Sequence, residues 1–400
     1  MLLLTNDDVV QVLTMEKCLE AVEESTRRLG RGQLVRWDGG RNVEVGKAEG
    51  LERVYTLRLR PVLDLADSTA ILRLNSWVTV TVEQFGMARR VIAPLGETLN
   101  ADTSQKPGYP QDSEKSGWLF LFDMRAGKLL AIVQERDVQV IRVGGVAALN
   151  AKYFARTDAR SIGLIGSGWM ARSVLMGHCL VRDIKTVKVF SPNARNRTNF
   201  TEQMKKQLKS EITPVASAEE AVRDADIVIS ATNTAEPTFD PAWVAEGAHV
   251  YCVTGAEYDE RMLEKADVVS WTFPRSVEYD EAKDFVTSLM TTGEPQEAKL
   301  AARKRGGQTG YRMAGWRLLQ KYANKRVFLT DLVEGQAAGR SDAKQITFTP
   351  SPAGASAAVV RFAVLVPTVY REAKRQKIGH ELPDEWFDQQ TETYPTYRLK

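Results

Sequence analysis

The stretch Ser161-Ile-Gly-Leu-Ile-Gly-Ser-Gly-Trp-Met-Ala171 limits what this chain can fold into more than any other. It reads as a short apolar strand, Ser161 to Ile165, running through Gly166-x-Gly168-x-x-Ala171 into a helix. The first glycine permits a tight strand-to-helix turn. The second lets a pyrophosphate approach bare backbone, and the small third residue lets the helix pack close on the strand. The helix N-terminus then offers free N–H groups to phosphate. A glycine pattern alone is weak evidence. Here the strand before it, the helix after it and the strand–helix alternation that follows agree on a dinucleotide site, against the alternative of a plain glycine turn.

Four hundred residues suffice for two or three domains, and 43% hydrophobic with 26% charged residues is ordinary for a globular protein. A net charge of +3 is small for this length and gives no reason to expect a nucleic-acid partner. Cys18, Cys179 and Cys252 are odd in number and far apart, which fits a reducing compartment. His178, His249 and His380 form no metal-ligand spacing, so no metal is expected. The first ten residues resemble neither a signal peptide nor an anchor, and no apolar run is long enough to cross a membrane. The expectation is a soluble, cytoplasmic protein with no membrane partner.

Taken in order, Thr5-Asn-Asp-Asp8 predicts a helix start, and a second amphipathic helix is expected from Met15 to Leu29. Between Val43 and Val82 the pattern becomes strand-like, with runs at 54–59, 70–74 and 77–82. Leu95 to Gly117 reads as a surface excursion, and Trp118 to Val133 as a hairpin. A helix over Val138 to Phe154 leads into the glycine loop. Beyond it, strands are expected at 186–190, 226–230, 249–253, 267–271 and 345–349, with helices between, as a parallel sheet requires. The basic run around Arg303-Lys-Arg305 and Arg312 to Arg326 reads as a solvated helix face rather than a polyanion site. A long helix is expected from Ser356 to Lys374.

The end of the second strand of that sheet reads Phe190-Ser-Pro-Asn193, then Arg195 and Arg197. A site for NAD usually has an acid there for the ribose hydroxyls, and none is present. Ser191, Asn193, Arg195 and Arg197 suit a 2′-phosphate, so NADP(H) is favoured and NAD(H) remains possible. Gly166, Ser167, Gly168, Trp169 and Met170 form the phosphate turn, and Ala231, Thr232 and Asn233 are expected to line the same cleft.

With these features in place, the chain resembles the ornithine cyclodeaminase and mu-crystallin family. The resemblance is carried by Asp7-Asp8-Val9, Asp123-x-x-x-Gly127 before Leu129-Leu-Ala131, and Ile141-Arg142-Val-Gly-Gly-Val-Ala-Ala148. Gly166-Ser-Gly168 and Thr330-Asp-Leu-x-x-Gly335 with Gly339-Arg340 complete it. The 95–117 excursion and the tail beyond Gly379 look like additions. The resemblance implies an α/β fold: a Rossmann-type doubly wound parallel sheet plus an α+β dimerisation and substrate domain built from N- and C-terminal segments. The expected division is 1–140, 141–328 for the cofactor domain, and 329–400 returning to the first. A homodimer is implied by the resemblance alone.

The resemblance also implies chemistry at a carbon bearing nitrogen, beside a carboxylate. Arg142 stands where the family keeps a substrate arginine, and a guanidinium can clamp a carboxylate bidentately. The family usually has Arg-Thr there, and this chain has Arg142-Val143. Arg73 stands where the family typically has a lysine, and arginine would retain an anchoring role rather than proton exchange. Arg41, or Arg36, is a further candidate carboxylate ligand. Glu257, at the carboxyl edge of the sheet, stands about where cyclodeaminases carry an aspartate in a Pro-Gly-Lys context that is missing here. It is the candidate acid/base, with Asp259 and Glu260 as rivals. The leading expectation is an NAD(P)H-dependent oxidoreductase acting on an amino or imino acid. The alternatives are a cyclodeaminase with bound NAD and a mu-crystallin-like NADPH-binding protein.

Overall fold

The computed structural model describes residues 1–36, 42–45, 53–84, 87–92, 116–234, 236–272, 321–350 and 357–388. Among these, two sheets carry the architecture. The 95–115 part of the expected excursion, Arg41, and the basic run from 303 to 320 lie outside the described residues, whereas Ser116 and Gly117 already belong to a strand.

The first sheet has nine strands in the order β17-β1-β8-β7-β5-β4-β2, with β3 on β4 and β6 on β5. They are β1 (Leu2–Leu4), β2 (Leu34–Arg36), β3 (Asn42–Val45), β4 (Arg53–Asp64), β5 (Thr69–Gln84), β6 (Met87–Ile92), β7 (Ser116–Asp123), β8 (Lys128–Gln134) and β17 (His380–Glu381). Pairing is antiparallel except between β1 and β8. The runs expected as separate strands at 70–74 and 77–82 form one strand, β5, because the polar pair Asn75-Ser76 stays in the ladder opposite β7. The tail beyond Gly379 contributes β17, which pairs with β1.

Helix α1 (Asn6–Val12) opens with a capping box in which Thr5 and Asp8 satisfy each other's backbone donors. Helix α2 (Met15–Gly30) buries Cys18, Ala21, Val22 and Leu29 on the face its spacing predicts. Helix α3 (Glu135–Phe154) follows β8 directly and leads to the second sheet.

That sheet is parallel throughout, in the order β11-β10-β9-β12-β13-β16-β14-β15. Its strands are β9 (Ser161–Ile165), β10 (Thr186–Phe190), β11 (Glu211–Pro214), β12 (Ile227–Ser230), β13 (His249–Cys252), β14 (Val268–Trp271), β15 (Arg326–Phe328) and β16 (Thr347–Pro350). Helices α4 (Trp169–Val181), α5 (Ala194–Lys205), α6 (Ala218–Val222) and α7 (Glu260–Lys265) lie between strands, and α8 (Leu329–Val333) follows β15. The chain moves outward one way from β9 to β10 and β11, then returns to β12 on the other side. That reversal is the switch point where open parallel sheets bind ligands. Since β16 lies in this sheet, residues up to 350 belong to it, beyond the expected boundary at 328.

The chain then packs α9 (Ala357–Val360) and α10 (Phe362–Gln376) into the core of the first sheet. The single helix expected from Ser356 is divided at Arg361.

Helix α3 fixes the relation of the two sheets. Beside α2, a Cβ on Gly145 would meet Cys18 Sγ at 2.7 Å. Beside α4, a Cβ on Gly177 would collide with the Gly144 carbonyl, and one on Gly144 with that of Ser173. Glycine is required where two backbones approach this closely. Near the far end, Asn150 Oδ1 accepts from Ser270 Oγ at 2.7 Å and Thr349 Oγ1 at 3.2 Å, tying α3 to β14 and β16. Gly177→Ala should therefore lower stability by about 2–3 kcal/mol, because rigid carbonyl rather than a flexible side chain opposes the methyl. Urea denaturation checks this, and an unchanged midpoint would contradict the close crossing.

Candidate active site

The strands β9, β10, β12 and β13 end level: Ile165 pairs with Phe190 and with Ser230, and Ser230 with Cys252. All the expected cofactor residues sit at this edge. Gly166 takes φ +120°, and a Cβ there would collide with the Ala231 carbonyl. Gly168 is the N-cap of α4 with no side-chain cap, and open space surrounds the position its Cβ would occupy. The uncapped N–H groups and the bare approach fit a pyrophosphate.

Ser167 Oγ donates to Ser191 Oγ at 3.0 Å, joining the two loops. Asn193 is committed to capping α5 through Asn196 N–H. Arg197 donates to the Ser191 carbonyl at 2.6 Å and lies 5.7 Å from the Phe190 ring, while its buried Nε has no partner. Arg195 is exposed on the same turn, as is Asn233 at the end of β12. Trp169 is 42% exposed with Arg136 over its ring, and Met170 is half-buried against the sheet core. No acidic side chain stands among Ser191, Asn193, Arg195 and Arg197.

Arg142 is 1% exposed on α3. Three contacts fix its height: Arg136 meets Trp169, Gly144 meets Ser173, and Ala148 meets Gly177. The two helices thus run parallel along the seam of Gly144, Ala148 and Gly177, and Arg142, off that seam, faces the Phe362 ring of α10 and lies within reach of the charges of Arg73, Glu135 and Tyr251. Its Nη2 donates to Gln139 Oε1 at 2.9 Å, and its Nε is buried without a partner. Burial first, and then the charge of Arg73, lower its pKa to about 10. A guanidinium so placed favours an arriving anion.

Arg73 is buried on β5, and Nε and Nη2 both donate to Glu135 Oε1, the former at 2.9 Å. Asn75 Nδ2 donates to the other oxygen at 2.8 Å. Both Arg73 and Arg142 face the ring of Phe362, at 5.2 and 5.7 Å. The two expected anchors are therefore neighbours, but only Arg73 has its charge matched by a carboxylate among the described residues. Arg36 lies on β2.

Glu257 is fully buried at the carboxyl edge. Its carboxyl accepts from Thr232 N–H and Oγ1 and from Thr254 N–H, so it laces together the loops after β12 and β13. Burial outweighs these donors and raises its pKa to about 7. Asp259 caps α7 and pairs with Arg261, and Glu260 pairs with Lys321, so both rivals are engaged on that helix. Among the described residues no group of three His, Cys, Asp or Glu could hold a metal, and no helix is long and apolar enough to cross a membrane.

Glu135, Asn75, Phe362 and Arg361 were not anticipated. Arg361 had a signal: it is the lone charge in Ala-Ala-Val-Val-Arg-Phe-Ala-Val-Leu-Val, residues 357–366.

A glycine loop at the switch point of a parallel sheet, with an uncapped helix facing it, defines a Rossmann-type α/β protein. More narrowly, the chain belongs to the ornithine cyclodeaminase/mu-crystallin family, whose model matches residues 100–360. It is similar to a Δ1-pyrroline-2-carboxylate reductase of Colwellia psychrerythraea, 27% identical over 251 residues, 61% of this chain and 72% of that one. A Bacillus cereus protein of the same name is 29% identical over 138 residues, 34% of this chain and 42% of that protein. Rat ketimine reductase mu-crystallin is 27% identical over 146 residues, 36% of this chain and 45% of that one. The chain matches about half the length of several curated relatives, 54% for one from Schizosaccharomyces pombe. In fold it matches the Thermococcus litoralis Δ1-pyrroline-2-carboxylate reductase solved with NADH and L-proline, at TM-score 0.69 and 21% identity, covering 96% of this chain and 100% of that one.

In the unfolded chain Glu257 ionises near 4.5, whereas the folded protein keeps it protonated up to about 7. Its burial therefore lowers stability as pH rises through that window, and not further above it. Glu257→Gln should gain on the wild type by on the order of 3 kcal/mol between pH 4.5 and 7.5 in paired urea titrations. A pH-independent difference would show that the carboxyl titrates normally.

Proposed function

We propose that the chain is an NAD(P)H-dependent oxidoreductase that transfers hydride at the nitrogen-bearing carbon of an amino or imino acid. The observation that carries this reading is Arg142: a buried guanidinium whose Nε has no partner among the described residues, facing the Phe362 ring and near Tyr251 of β13 in the parallel sheet. The names of the reductase relatives support the same class.

Gly166, Ser167, Gly168, Trp169 and Met170 would hold the pyrophosphate end of the cofactor, with Ala231, Thr232 and Asn233 along the cleft. When bound, the nicotinamide supplies or accepts the hydride. Arg142 anchors the substrate carboxylate and so fixes the adjacent carbon for transfer. Arg73, matched by Glu135, orients this end of the site. Glu257, protonated up to about pH 7, serves the substrate nitrogen as the acid. Reduction should accordingly slow above that pH. A homodimer and a cofactor domain between returning N- and C-terminal segments complete the reading, in line with an archaeal alanine dehydrogenase described as a dimer, 20% identical.

Arg142→Ala should raise KM for the acid substrate by about 10- to 100-fold while leaving the affinity for reduced nicotinamide cofactor near that of the wild type. Steady-state kinetics with 2-oxo acids and amines or ammonium, beside nicotinamide fluorescence titration, would separate the two. Unchanged kinetics would remove Arg142 from the substrate site.

We infer NADP(H) as the preferred cofactor, because Ser191, Arg195 and Arg197 present hydroxyl and cationic groups where a ribose-binding acid would stand. The double variant Arg195→Ala, Arg197→Ala should weaken NADPH binding about tenfold or more, with little effect on NADH. Equal losses for both cofactors would contradict a 2′-phosphate site.

A further inference from the structure

Arg142 is a buried arginine with no ion pair among the described residues, and the fold contains a second. Arg361 lies between α9 and α10 and is 1% exposed. Its Nη1 donates to Thr26 Oγ1 on α2, a hydroxyl that itself donates to the Val22 carbonyl at 2.7 Å. Its Nη2 is buried and has no partner. Burial, together with repulsion from Arg142, pulls its pKa down to about 9, so the two guanidiniums sense each other. The next residue, Phe362, presents its ring to both Arg142 and Arg73.

Three buried arginines therefore gather at the start of α10. Glu135 is bonded to Arg73, and neither Arg142 nor Arg361 makes an ion pair among the described residues. Burying two unmatched, mutually repelling cations is unfavourable, and apolar residues of similar volume would pack at less cost. The arrangement becomes favourable when anions complete it. One carboxylate can complete the fork of one arginine, which leaves the other cation unmatched.

We propose that Arg142 and Arg361 form two acid-group subsites, so that the substrate is an imino acid with two carboxylates. Arg142 takes the carboxylate beside the reacting carbon, and Arg361 takes the distal one. The assignment rests on the reading of Arg142 as the substrate anchor. It adds to that reading a substrate class: imines formed, with loss of water, from a dicarboxylic 2-oxo acid and ammonia or an amine.

Calorimetry on NADP⁺-loaded protein tests it with 2-oxoglutarate and 2-oxopentanoate, which share a five-carbon chain and differ in the distal acid. The wild type should bind 2-oxoglutarate about tenfold or more tightly than 2-oxopentanoate. Arg361→Met should abolish the preference, and Arg361→Lys should restore part of it. Arg142→Met should weaken both ligands. Equal affinity for the two acids in the wild type, no binding of either, or a preference that survives in Arg361→Met would overturn the proposal. Oxidation of NADPH in the presence of ammonium, followed separately, distinguishes the broader reading. A dicarboxylate preference that depends on Arg361, but without turnover, would retain the paired subsites and remove imine reduction.

Discussion

The close crossing of α3 and α4 is the constraint on which the site depends. Gly144 and Gly177 let the two backbones touch, and any side chain at either position would push the helices apart. Because the helices run parallel at this distance, α3 is held in place with Arg142 facing the Phe362 ring of α10 and near Tyr251 of the parallel sheet. The same helix is anchored to α2 through Gly145 and Cys18, and to β14 and β16 through Asn150. A guanidinium can remain desolvated only where its surroundings cannot relax around it, and these contacts leave α3 little freedom.

Electrostatics divides the arginines of this region by role. Arg73 is matched by Glu135, whose other carboxyl oxygen accepts from Asn75. Arg142 Nε and Arg361 Nη2 have no partner among the described residues. A charge already paired orients its surroundings, whereas an unpaired one is held for something that arrives. Glu257 is intermediate: its donors lace two strand ends together, yet burial leaves its proton exchangeable near neutral pH.

What could be read in the sequence follows the range of the interactions. The glycine loop was legible because a tight turn and an exposed helix start are local properties of Gly166 and Gly168. So was the capped start of α1 at Thr5. Family motifs such as Gly339-Arg340 were visible, but their role required the fold: Arg340 donates to the Phe154 carbonyl at the end of α3 and to that of Gly247. The continuity of β5 was hidden because Asn75-Ser76 looks like a break, whereas Asn75 is buried to meet Glu135 from another element. Arg361 was visible as a charge in an apolar run, and its meaning depended on Thr26, 335 residues away.

The most direct test of the account follows the hydride. The protein would be incubated with NADPH deuterated at the transferable position of the nicotinamide, ammonium and a panel of 2-oxo acids, and the amino acid products examined by mass spectrometry and NMR. One deuterium on the carbon bearing nitrogen and a matching loss of absorbance at 340 nm are the expected result. Ammonia release from an ω-amino acid with the cofactor regenerated, or tight NADPH binding with no labelled product from any acid, would contradict it.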